Sequence, residues 1–274
     1  LLVRCEEWSS RSRPALITSI SLPESRPALP RIQAFSLGAA RVLRDGDPVT
    51  TSQWGTAVAR DMFFLLLLHP SGLRREQIID LLWPESPSGR GVSQFHSTLH
   101  RLKRALGLEN VPRDAQRYKL PANAGIWSDV AEFEQALKAA AQADGDPVSV
   151  LPNLQRAVEL YAGPFLEDSR GEWVVEPREK LQARYLRALL ALAKAHEDRG
   201  EYDQSLACYE SVLAVDNSLE EVHARVLHCH ARLGEAALVR EHYHRYAEWL
   251  ERELGARPSP KLVKNYRQLV EELN

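Results

Sequence analysis

Apolar residues recur every three or four positions along most of this chain, and the breaks in that rhythm divide it into elements. Val92, Phe95, Leu99, Leu102 and Leu106 share one stripe of a helix predicted over Gly91 to Gly107. The opposite side carries Arg90, Ser93, Gln94, Ser97, Arg101 and Arg104, flanked by Thr98, His100 and Lys103, with no carboxylate among them. Such a face is either ordinary solvated surface or a surface suited to a polyanion, and only its neighbours decide.

Upstream, Thr56 to His69 predicts a helix whose second half, Met62 to Leu68, has almost no polar side. It must be covered all round. His69-Pro70-Ser71-Gly72 stops it, and a short helix over Arg75 to Leu82 ends at Trp83-Pro84 before the loop Glu85 to Gly89. Before these helices lie short alternating runs, Ile32–Leu37, Ala40–Leu43 and Val49–Ser52, with Asp45-Gly46-Asp47-Pro48 as a hairpin turn. After them, apolar and polar residues alternate on both sides of Arg113-Asp114-Ala115-Gln116, which predicts a second hairpin with a polar tip closing at Arg117-Tyr118-Lys119-Leu120. A small sheet, three helices and a two-stranded wing make a winged helix, over residues 31–123.

From Ser128 onward the pattern is helical throughout. Helices are predicted from Asp129, over Val148–Tyr161 and Pro177–Arg199, then over Tyr202–Val215, Leu219–Leu233, Glu235–Leu254 and Pro260–Leu273. Gly200-Glu201 and Gly234-Glu235 are 34 residues apart, as are Tyr209 and Tyr243, the period of tetratricopeptide hairpins. The expected fold is therefore mainly α: a winged helix-turn-helix followed by an all-α tetratricopeptide-like domain over 128–274. Residues 1–30, rich in Ser, Pro and Arg and opening on Leu, are expected to be a linker or the tail of an upstream segment.

Charge sharpens this division. Residues 1–127 hold 17 Lys and Arg against 11 Asp and Glu, whereas residues 128–274 hold 18 against 26. Between Arg90 and Lys119 there are seven cations and two carboxylates, which concentrates positive charge where a winged helix meets nucleic acid.

The segments LLLLHPSGLRREQIIDLLWPESPSGRGVSQFHSTLHRLKRALG and RYKL resemble the OmpR-type winged helix of bacterial transcriptional activator domain (BTAD) regulators. DVAEFEQAL from Asp129, YAGPFLED from Tyr161 and ELGARPSP near the end resemble landmarks of the activator domain itself. The resemblance implies a bacterial, cytoplasmic transcription activator that binds double-stranded promoter DNA and contacts RNA polymerase, with the helical domain supporting a homodimer. It implies DNA contacts from Thr98, His100, Arg101 and Lys103, with Arg117 in the wing; with the polar face, the candidate set is Arg90, Ser93, Gln94, Ser97, Thr98, His100, Arg101, Lys103, Arg104 and Arg117. The chain departs from the family's pattern at His100, where Arg is common, and in the wing, where Asp114-Ala115-Gln116 replaces a glycine-rich turn.

Other chemistry finds little support. His223, His228, His230, His242 and His244 cluster around Cys229, but the pairs two residues apart point in different directions on a helix, so histidines satisfied by neighbours are expected rather than a metal site. Tyr243, Tyr246 and Trp249 read as core. No phosphate-binding loop, dinucleotide fingerprint, nucleophile elbow or zinc-protease motif is present, so neither an enzyme nor a cofactor is expected. The longest apolar run is far short of the ~20 residues of a membrane span. The competing reading is a protein-interaction scaffold whose winged helix no longer binds DNA.

Overall fold

The computed structural model describes residues 31–87, 90–143 and 147–273, without the side chains of 147–149. The linker expectation for residues 1–30 lies outside them. Contacts group the chain into two compact units, one ending at Tyr185 and the other beginning at Leu186.

The first unit opens with a four-stranded sheet. β1 (Ile32–Phe35) and β2 (Arg41–Arg44) are antiparallel, and β3 (Asp47–Pro48) follows β2 across a two-residue turn. Asp45 and Gly46 both take positive φ in that turn, 54° and 93°, as the twist of a tight hairpin requires. The third strand is thus earlier than the Val49–Ser52 run. Thr51–Trp54 is instead a short helix, α1, because Thr50 and Gln53 close a capping box: the Thr50 amide donates to Gln53 Oε1 at 2.7 Å and the Gln53 amide donates to Thr50 Oγ1 at 3.4 Å.

Next come α2 (Ala57–Leu68), capped by Thr56, then β4 (Leu73–Arg74), α3 (Arg75–Leu82) and α4 (Arg90–Leu106). In α2, Met62, Phe63, Phe64, Leu65 and Leu66 are all buried, as a helix covered on every side must be. β5 (Arg113–Asp114) and β6 (Arg117–Tyr118) form the wing, and β4 joins it to make a second sheet in the order β4-β6-β5. β7 (Ile126–Ser128) then returns to the first sheet and pairs in parallel with β1.

The core of the winged helix does not stop at β7. α5 (Asp129–Gln142), with Ser128 as its N-cap, and α6 (Pro147–Leu160) pack together, and Phe133, Ala136, Ala157, Phe165, Leu166, Trp173, Val174 and Leu181 belong to the same buried cluster as Ile32, Phe63 and Leu102. The joint is polar at its centre. Asp129 Oδ2 accepts the Ser36 and Leu37 amides at 2.6 and 2.8 Å, and its Oδ1 accepts Ser36 Oγ at 3.0 Å and the Val130 amide at 2.8 Å. Beside it the segment Gly163–Asp168 clamps residues 36–40: Gly38 donates to Pro164 O, Leu166 to Ser36 O, Glu167 to Gly38 O, and Ala40 to Asp168 Oδ1. Leu166 is held there at φ 45° although it is fully buried. The Arg178 guanidinium fixes this conformation by donating to the Phe165 and Leu166 carbonyls at 2.9 and 2.7 Å.

The second unit takes the end of α7 (Val175–Glu197) and then α8 (Tyr202–Leu213), α9 (Glu220–Arg232), α10 (Ala236–Leu254) and α11 (Pro260–Glu272). Its repeat is visible atom by atom. Gly200 and Gly234 take φ of 74° and 77°, the left-handed conformation that ends a helix. One residue later Glu201 and Glu235 each bring Oε2 to 2.7 Å from a histidine Nδ1, His196 and His230, again 34 residues apart. The same backbone bond recurs, Glu201 N to His196 O and Glu235 N to His230 O, both at 2.9 Å. Two of the chain's histidines are therefore hairpin staples.

Candidate nucleic-acid interface

α4 buries Gly91, Phe95, Thr98, Leu102, Ala105 and Leu106. This stripe is rotated from the expected one. Val92 is 37% exposed, and Thr98, three residues after Phe95 and four before Leu102, is only 4% exposed. Small residues on the inner side let the helix sit close to its neighbours. A Cβ on Gly91 would lie 2.6 Å from Ile79 Cγ2 of α3. At the other end, Arg44 Nη1 donates to Ala105 O at 2.9 Å and Arg31 Nη2 to Gly107 O at 2.8 Å, so two guanidiniums satisfy carbonyls that the last turn leaves unpaired.

Facing away from the core, Arg90, Ser93, His96, Ser97, His100 and Arg104 are exposed. The wing is fastened beside this face. The Tyr118 ring of β6 meets Phe95 of α4 edge to face at 4.8 Å, and Arg113 lies over the Tyr118 ring at 5.8 Å. Ala115 and Gln116 form the wing tip with φ of 45° and 68°. Two consecutive left-handed residues without glycine cost roughly 1–2 kcal/mol each. Replacing Ala115-Gln116 by Asn-Gly should therefore raise stability by about 1 kcal/mol, read as a higher urea midpoint; an unchanged or lower midpoint would show that the tip is not strained.

Against known proteins, the bacterial transcriptional activator domain description matches residues 128–270, more than half of the chain. The chain belongs to that family. The structure of Mycobacterium tuberculosis EmbR in complex with a low affinity phosphopeptide is similar to this BTAD protein with a TM-score of 0.68 at 23% identity, over 88% of this chain and 65% of that one. That likeness establishes the fold, a winged helix followed by tetratricopeptide-like helices. No curated protein sequence matches. Among the described residues no three His, Cys, Asp or Glu side chains gather in a way that would hold a metal ion. Nor is any described helix long and apolar enough to cross a membrane.

The ten candidate contacts of this BTAD protein now separate into groups. Arg90, Ser93, Ser97, His100 and Arg104 stand exposed on the outer face of α4. Lys103 is half-buried at its edge. Gln94 is half-buried too, and its Oε1 accepts Ser86 Oγ at 2.7 Å. Arg101 runs along the end of α1, its Cδ 3.5 Å from where a Cβ on Gly55 would lie. Thr98 is corrected outright: the rotation of the buried stripe turns it inward, away from any groove. Arg117 is half-buried and donates to Gly72 O at 3.0 Å, which binds the wing to the turn before β4. The exposed wing cation is Arg113. Its neighbour Lys119 is ion-paired with Asp114 at 3.1 Å. Arg113 and His96 also stand exposed, although neither was among the ten candidates. The signal for His96 was present: it precedes His100 by four and follows Ser93 by three, so it belongs to the outward line.

Proposed function

We propose that this chain is a sequence-specific DNA-binding transcription activator of the bacterial cytoplasm, in which α4 enters the major groove and the wing lies along the backbone beside it. One observation carries the reading: α4 has no carboxylate, Phe95, Thr98, Leu102, Ala105 and Leu106 are turned into the core, and Arg90 and Arg104 project from the exposed side. Cations held on a rigid helix beside an anchored wing fit the spacing of phosphates along a groove. The helical region would serve a homodimer and contact RNA polymerase at the promoter, roles taken from the family and not from geometry.

The test is duplex binding by the full chain at graded salt, with promoter fragments as probes. Affinity should fall steeply with salt. Arg104→Ala should weaken all duplexes alike and lower the slope of log K against log salt by about one, because each phosphate contact releases close to one counterion. Absence of binding at low salt across a promoter library would overturn the reading and leave the interaction scaffold in its place.

A further inference from the structure

Resting on that reading, we infer that the bases are read by His96 and His100, acting as a pair on acceptor-rich guanine edges. Several of the residues first expected to touch DNA are held by the protein itself. Thr98 is buried, the Gln94 amide oxygen accepts Ser86 Oγ, the Arg101 shaft lies against Gly55, and Arg117 holds the Gly72 carbonyl. Ser97 Oγ donates to Gln94 O at 3.0 Å within its own helix. Along the middle of the outward face this leaves Ser93, His96 and His100, all exposed.

The two histidines are one helical turn apart, about 6 Å along the axis, close to two base-pair steps. The His96 ring meets the edge of the buried Phe95 ring at 5.3 Å, a contact that favours one orientation. On either side Arg90 and Arg104 lie about 21 Å apart along the helix and supply phosphate anchors at both ends of the reading pair. The short side chains at the centre require the helix to sit deep, and the long cations at the ends suit the groove walls. A face whose side chains offer N–H and O–H groups and no carboxylate matches the base edge that presents two acceptors side by side. In the major groove that is guanine, with N7 and O6.

The test is selection of duplexes from a random library by the full chain and by its His96→Ala, His100→Ala and Arg104→Ala variants. The wild type should select two guanines about two steps apart. His96→Ala should lose the preference at one of them and His100→Ala at the other, each by about tenfold or more, with the salt slope unchanged. Arg104→Ala should keep both preferences and lose affinity uniformly. His96 and His100 are exposed, so both alanine variants should unfold at the wild-type midpoint, and His100→Gln provides a second variant should one misfold. Preferences that survive both histidine substitutions, or a selected site without guanine, would overturn the assignment while leaving DNA binding intact. A wild type that binds no duplex at low salt would overturn both.

Discussion

Replacing Asp129 by alanine is expected to destabilise the winged-helix unit by about 3 kcal/mol or more, although Asp129 lies outside the winged-helix segment itself. Its carboxylate accepts the amides of Ser36 and Leu37, the Ser36 hydroxyl and the Val130 amide, at 2.6 to 3.0 Å, in a site where Asp129 and Ser36 are both almost completely buried. Alanine leaves two amides at the end of β1 without an acceptor and out of reach of water, and each such group costs roughly 1–3 kcal/mol. Asparagine should fall between, since it keeps one acceptor but turns an NH2 toward donors. Amide exchange is the direct measurement: Ser36 and Leu37 should lose protection in Asp129→Ala before the amides of α2 do. For the same reason a chain cut after Trp127 should fail to fold, because it loses Ser128 of β7 and with it Phe133, Phe165, Leu166 and Trp173 of the shared core, each worth about 1.5–3 kcal/mol for a large side chain against a total stability of ~5–15 kcal/mol. A midpoint for Asp129→Ala equal to the wild type, or a folded 1–127 fragment, would show that the winged helix is self-sufficient.

That joint also marks where sequence reading ends. Elements defined by their own neighbours were readable: Arg75–Leu82 matches α3 residue for residue, α4 begins and ends within a residue of expectation, and the helices from Tyr202 onward follow from glycine and proline punctuation. The 34-residue repeat was readable as well. Its His-Glu staples were written in the same offset, His196 to His230 and Glu201 to Glu235, but a search for metal ligands draws the eye to histidine density and not to histidine period. Asp129 bonds to residues 92 and 93 positions away, and Asp168 reaches Ala40 across 128. No local periodicity carries such information. YAGPFLED was recognisable as a family landmark without its role, because the backbone that it clamps is in another part of the sequence. Thr98 and Val92 failed for a subtler reason. A stripe drawn through the largest apolar residues leaves out the small ones, and here Gly91, Thr98 and Ala105 share the inner face with Phe95, Leu102 and Leu106, Gly91 sitting close against Ile79 of α3.

Acidification should unfold the second unit through a pair of histidines whose charge state the fold dictates. His223 of α9 is 3% exposed, and its Nε2 lies 3.0 Å from the Asn217 carbonyl oxygen, which accepts only, so the proton sits on Nε2. Nδ1 is then the acceptor for His242 Nε2 of α10, 2.9 Å away, and the His223 ring stacks on Tyr246 at 3.7 Å. Both rings are neutral in this arrangement, and a proton on His223 Nδ1 would set two donors against each other. Burial lowers His223 to about 4, and burial, helped by His223 and the Arg245 charge, lowers His242 to about 3. In the unfolded chain each takes up a proton near pH 6.5. The unfolded state thus binds more protons than the native state between about pH 6.5 and 4, and stability that is complete above pH 6.5 is lost as pH falls through that window, by up to about 1.4 kcal/mol per pH unit for each ring. In His242→Gln the side-chain amide can still donate to His223 Nδ1, but one titrating group is gone. Urea unfolding followed by amide exchange in α9 and α10 should show the wild type weakening more steeply with acid than this variant below about pH 6.5. Parallel pH dependences would mean that the pair opens to water or takes up protons without breaking the α9–α10 contact, and the acid sensitivity of this unit would then rest on its carboxylates.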